Sequence, residues 1–217
     1  MKIELNNIEL ILLSQKALYL PEYHILCIAD WHLGKAAHLR KSGIPLPQHK
    51  PDPGFAIIEE LCDQFSITKI LFLGDLFHSI KNNEWESFRS FISQLPAIEF
   101  ILVKGNHDII PDKFFNESGI KTTGELILDD KLCFTHHPLF ERTKDGFLNI
   151  AGHIHPGCLI EQKAKQIVRL PCFYYRDKTL VLPSFGSLTG LQMLPQKMNA
   201  IFYCIAGNHV FKLADAV

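Results

Sequence analysis

The sequence predicts an α/β fold, on three observations. Strand, helix and strand alternate through the front half of the chain, the tail reads as strands alone, and the buried runs repeatedly stop on Asp, Asn or His. The plainest of these runs, residues 100–103, gives way to Lys104, Gly105, Asn106, His107 and Asp108. A buried strand ending this way sets an amide, an imidazole and a carboxylate on one tight turn at its carboxyl end, where open α/β sheets carry their ligands.

Taken in order, residues 8–13 and 17–20 form a hairpin around Ser14, Gln15 and Lys16, and residues 24–29 form a strand buried on both faces. That strand runs into Asp30, Trp31 and His32. Residues 38–53 carry Pro45, Pro47, Pro51 and Pro53, which exclude a long helix and make this an ordered loop beside the site. Ile57, Ile58, Leu61 and Phe65 recur at helical spacing, and residues 69–73 then form a second buried strand ending in Gly74, Asp75, Leu76, Phe77, His78 and Ser79. Trp85, Phe88, Phe91, Ile92 and Leu95 predict an amphipathic helix that Pro96 ends. Residues 111–118 are a short helix or turn closed by Gly119. Residues 125–128 pair with 132–135, which lead into His136, His137 and Pro138. Residues 147–151 form a strand that ends in Gly152, His153, Ile154 and His155. Beyond it come strands at 167–170, 173–175, 179–182 and 201–205, with Gly186, Gly190 and Gly207 at turns and the tail 201–213 available as a sheet edge.

With 217 residues and no repeat or linker, the chain is expected to fold as a single domain spanning 1–217. Lys and Arg number 22 against 23 Asp and Glu, which excludes a global electrostatic pull toward nucleic acid or anionic membrane. The six cysteines contain no CxxC pair, and Cys27, Cys133 and Cys204 sit in apolar runs, as in a reduced, cytoplasmic protein. Lys2, Glu4, Asn6, Asn7 and Glu9 interrupt the first residues as no signal peptide tolerates, so a soluble protein without a membrane partner is expected.

Eleven histidines are the compositional excess, and position gives them meaning. Five strand ends supply Asp30 with His32; Asp75; Asn106 with His107 and Asp108; His136; and His153 with His155. Carboxylate and amide oxygens mixed with imidazoles suit manganese, iron(II) or zinc, and this many donors exceeds the needs of one ion. Two ions are implied.

In this order the motifs resemble the five signatures of the calcineurin-like metallophosphoesterases: Asp-x-His, Gly-Asp, Gly-Asn-His-Asp, a lone His after a strand, and Gly-His-x-His. The resemblance implies a four-layer α-β-β-α sandwich with two packed mixed β-sheets and two divalent ions, manganese first, iron or zinc otherwise. It implies further that Asp30, His32 and His155 hold one ion, that Asn106, His136 and His153 hold the other, and that Asp75 bridges them. Phosphoester hydrolysis by a metal-bound hydroxide would follow, with His107 as general acid held by Asp108. His136 matches the family's His-x-Pro variant. In many members Gly follows this ligand, so His137 is a departure and the choice between the two histidines stays open.

A narrower similarity runs through residues 29–47, 74–79 and 182–190, which resemble bacterial ligase-associated DNA-damage-response endonucleases of the PdeM type. It implies a phosphodiesterase, with nucleic acid as substrate class and a DNA ligase and helicase as partners. His78 reads equally as a substrate contact or a helix cap, and Arg40 with Lys41 as phosphate contacts or a solvated loop. His24, His38, His49 and His209 are expected to be surface or packing residues. Two other functions compete: hydrolysis of a nucleotide-linked lipid pyrophosphate, disfavoured because no long apolar insertion interrupts the motifs, and a non-catalytic binding module, disfavoured because every ligand and His107 are present.

Overall fold

The computed structural model describes residues 1–45, 52–78, 83–143, 146–161, 167–195 and 199–213. Pro47, His49, Pro51 and Ser79 lie outside the described residues.

Seven strands make the first sheet in chain order: β1 (Lys2–Leu5), β2 (Ile8–Leu12), β3 (Leu18–Leu20), β4 (Ile25–Ile28), β5 (Lys69–Leu73), β6 (Glu99–Val103) and β7 (Ile120–Thr123). Pairing is antiparallel as far as β4 and parallel from β4 to β7. The strand β1, unread in the sequence, pairs with β2 through Asn6 and Asn7, whose φ values of 51° and 59° form the left-handed pair that a two-residue hairpin turn demands. Asn tolerates that conformation, so Asn-Asn was the available signal.

Among the described residues, four helices accompany this sheet: α1 (Lys35–Lys41), α2 (Pro53–Gln64), α3 (Asn83–Ser93) and α4 (Asp112–Glu117). α1 occupies the start of the stretch read as a loop, a correction with a local cause. Pro45 lies four residues beyond Lys41, too far to impose its restriction on the helix. α2 begins where Asp52 accepts a hydrogen bond from the Gly54 amide at 2.9 Å with Pro53 in the first turn.

The second sheet has the order β14-β11-β12-β13-β10-β9-β8, with β15 and β16 added alongside β12. Its strands are β8 (Leu126–Leu128), β9 (Leu132–Thr135), β10 (Leu148–Ala151), β11 (Pro156–Glu161), β12 (Ile167–Arg176), β13 (Thr179–Val181), β14 (Gln192–Met193), β15 (Ile201–Ala206) and β16 (His209–Lys212). Residues 167–170 and 173–175, expected as two strands, form one. Pro171 does not break β12 because it stands opposite Gly157 at the end of the β11 ladder, where the strand passes to new partners, β15 and β13. The tail is a hairpin: β15 is bonded on both sides, and β16 takes the outer position.

Strand periodicity divides the core. In β5, Ile70 and Phe72 face the helices while Leu71 and Leu73 face the second sheet; Leu26 with Ile28 and Ile25 with Cys27 repeat this in β4. The helix-side core gathers Leu61, Trp85, Phe88 and Phe115 around Trp31 and Phe72. Between the sheets, Leu71 and Val103 pack with Phe134, Ile150, Phe173 and Leu180. A third cluster, with Cys172, Tyr174 and Phe202, lies on the far face of the second sheet with Phe140 of the 3-10 turn Phe140–Arg142 packed against it.

Trp31 ties the first motif into this packing. Its ring meets Phe55, Phe88 and Phe185 edge-on at 5.1, 6.0 and 5.2 Å, and its indole N–H donates to Asp52 at 3.0 Å. Replacing Trp31 by Ala is therefore expected to destabilise the protein by about 3–5 kcal/mol, read from the shift in an equilibrium urea transition.

Candidate metal centre

The parallel strands β4, β5 and β6 end at one edge of the first sheet, and the parallel pair β9 and β10 ends at the matching edge of the second. Every residue read as a ligand follows one of these tips. Hydrogen bonds cross between the sheets there: the His153 amide donates to Asp30 Oδ2 at 2.8 Å, and His136 Nδ1 contacts the Leu73 carbonyl at 2.9 Å.

Among the described residues, three groups of potential ligand atoms result, each with its members within 4.8 Å of one another: Asp30, His32 and His155; Asp30, Asp75 and His136; and His136, His137 and His153. Asn106 joins them, its Oδ1 lying 3.1 Å from His136 Nε2. All seven residues expected as ligands are thus brought together. The donors of His155 and Asp30 stand 3.4 Å apart, and those of His136 and Asp75 3.5 Å.

The His136 tautomer and the unpartnered atoms around it fit a candidate cation site. A carbonyl only accepts, so His136 Nδ1 carries the proton that it shares with Leu73, and Nε2 presents a lone pair. That lone pair faces His153 Nδ1 and Asn106 Oδ1, each at 3.1 Å, and Asp75 Oδ1 at 3.5 Å, which also accepts from the His107 amide. Asp30 Oδ1 and both ring nitrogens of His32 are buried with no hydrogen-bond partner among the described residues. Buried polar atoms left without a partner are costly, and a divalent cation beside Asp30 Oδ1 and His32 would supply one. Burial pushes the His32 imidazole down to about 3, and lowers His153 too, with the neighbouring His137 and His136 rings adding to the effect. Both rings are neutral at pH 7, the form that binds metal.

Asp108 differs from expectation. Its carboxylate accepts from the amides of Asp75 at 2.8 Å, Leu76 at 2.9 Å and Gly105 at 2.8 Å, so it staples two ligand-bearing turns to each other rather than holding the His107 ring. Burial raises this carboxyl to about 6 against the opposing pull of those bonds. The His107 amide donates to Asp75 Oδ1 at 2.9 Å, and its exposed imidazole stands 5.6 Å from the His32 ring.

His78 stacks 6.1 Å from His107, and its Nδ1 is buried without a hydrogen-bond partner among the described residues. His38, read as a surface or packing residue, places its ring 4.8 Å from His78, and Arg40 lies two residues further along α1. The contact spans forty positions of sequence, and no local pattern announces it. No role was read for Ser184, within the 182–190 stretch, whose hydroxyl donates to the Asp30 carbonyl at 2.7 Å, or for the buried Asn149.

Two packed mixed sheets whose tips converge on paired cation-seeking groups define a metal-dependent phosphoesterase. The chain belongs to the calcineurin-like phosphoesterase family, a two-metal family, which its residues 23–196 match. A search of curated proteins gave no match. Among solved structures, the chain is similar to Pseudomonas putida nuclease MPE at 24% identity and TM-score 0.77, covering 98% of this chain and 99% of that one. It also matches Yfce, a phosphoesterase from E. coli, at 15% identity and TM-score 0.44 over 88% of this chain and 98% of that one. A Vps29 single mutant from Entamoeba histolytica matches at 14% and 0.39 over 87% and 96%. No described helix is long and apolar enough to cross a membrane.

Two glycines let the tips approach. Gly74 has φ +81°, and a Cβ there would collide with the His136 ring; at Gly105 a Cβ would press on Asp75 Oδ1 and lie 2.6 Å from the Asp75 amide nitrogen. Replacing Gly105 by Ala is expected to weaken divalent-ion binding by about tenfold or more without changing the far-ultraviolet circular dichroism, with metal content after dialysis as the measurement.

Proposed function

We propose that this chain is a dinuclear phosphodiesterase acting on nucleic acid, built as one domain over residues 1–217. The observation that carries the reading is the convergence of Asp30, His32, Asp75, Asn106, His136, His153 and His155 from both sheets, with Asp30 Oδ1 and both His32 ring nitrogens buried and without a hydrogen-bond partner among the described residues. Asp30, His32 and His155 hold one ion, Asn106, His136 and His153 hold the other, and Asp75 serves both. Bound there, the pair supplies a nucleophile at neutral pH and neutralises the charge on the phosphoryl oxygens.

The remaining work falls to the chain. Phosphoryl transfer needs positioning and a proton for the departing alkoxide. The His107 imidazole is exposed beside the centre while its amide is tied to Asp75, so the ring is free to donate that proton and its backbone is fixed. His78 and Arg40 receive the flanking phosphate. The nucleic-acid class is supported by the fold shared with a protein described as a nuclease and by the resemblance to ligase-associated endonucleases, with a ligase and helicase as the partner class. Manganese is the ion we favour, and the cytoplasm the compartment.

The full chain loaded with manganese is expected to hydrolyse a bis-nitrophenyl phosphodiester and to nick plasmid DNA; failure on both with manganese, iron(II) and zinc overturns the proposal. His107→Ala is expected to keep its metal content and lose turnover on DNA by about 10²–10⁴-fold. The loss on the nitrophenyl ester, whose leaving group needs no proton, should be far smaller. Equal losses on both substrates would refute the acid role.

A further inference from the structure

The third group of ligand atoms contains a residue that the seven-donor site leaves unused. His137 is exposed, its ring lies 4.1 Å from that of His153 and 4.9 Å from that of His136, and one of its nitrogens is within 4.8 Å of a ligand atom of each. Two adjacent residues of a strand ordinarily point to opposite faces. Here β9 has ended at Thr135, and the turn that follows brings both rings to one side.

Buried polar groups hold that turn. The Asn149 side chain, fully buried on β10, donates to the Cys133 carbonyl at 3.0 Å and to Thr135 Oγ1 at 2.9 Å, and accepts from the Leu139 amide at 3.0 Å. Thr135 Oγ1 in turn donates to the His137 carbonyl at 2.7 Å, and the Gly152 amide donates to the His136 carbonyl at 3.0 Å. Residues on both sides of His137 are thereby fixed relative to the strand that carries His153. The ring is presented to the centre by a preformed scaffold.

We propose that His137 is an additional ligand to the ion held by Asn106, His136 and His153, and that it tunes this position toward imidazole-preferring ions. The inference rests on the two-ion reading. With His137 the position has three imidazoles against one amide oxygen and the shared carboxylate, whereas the Asp30 position has two imidazoles and two carboxylates. Imidazole donors favour zinc and the later first-row ions over manganese, so the two positions are chemically unequal and the asymmetry lies in one side chain.

The test is competitive titration of the metal-free full chain with zinc, and separately with manganese, against a chromophoric chelator. Wild type is expected to bind two zinc ions. In His137→Ala one should bind as in wild type and the other at least about tenfold more weakly, with a smaller change for manganese. His137→Gln, closer in size, should show the same selective loss and guards against a packing effect. Unchanged binding of both ions in either variant, or equal weakening of the two, overturns the assignment. A wild-type chain that binds fewer than two ions overturns the two-ion reading itself, before any variant is compared.

Discussion

Two carboxylates buried against each other govern this molecule. Asp30 and Asp75 are both inaccessible to water, and each has an oxygen within 4.8 Å of the other's and of a His136 nitrogen. Like charges at that separation repel, and the lone pairs of His136 and Asn106 beside them add more negative potential. Some relief is internal: backbone amides of His153 and His107 donate to the two groups. The rest must come from positive charge brought in from outside, and the residues around the pair are arranged to receive it.

That arrangement is paid for in backbone conformation. Asp30, His32, Asp75, His153 and His155 all have φ between 51° and 71°, a region that non-glycine residues avoid. Each such residue costs roughly 1–3 kcal/mol, and the clustering of five at one rim locates strain where the chemistry is. It is sustained by what surrounds it: Asp108 binding three amides, Ser184 and the Gly186 amide bonding the Asp30 carbonyl, and Trp31 wedged among phenylalanines.

The sequence disclosed more of this than local patterns usually do. Strands such as β5 were legible because they are buried on both faces and end abruptly on polar residues, and the seven residues that the structure brings together were legible as a set because each follows a strand end. β1, β7, β11 and β14 were missed, being short or mixed with polar and turn-forming residues, and β12 was divided because Pro171 reads as a break until its pairing partner is known. The Asp108 role was misread for a similar reason: an acid beside a histidine suggests a side-chain pair, whereas its partners are amides up to 33 positions away. His38 and Asn149 act through tertiary contacts that no spacing encodes.

Because Asp30, Asp75 and Asn106 belong to one sheet and His136, His153 and His155 to the other, an occupied centre is also a fastener at the open end of the sandwich. It joins stretches of chain more than a hundred positions apart, which is where a cross-link restricts the unfolded polymer most. Scarcity of the ion would then loosen the molecule mechanically as well as disarm it, leaving idle copies the easiest prey for cellular proteases.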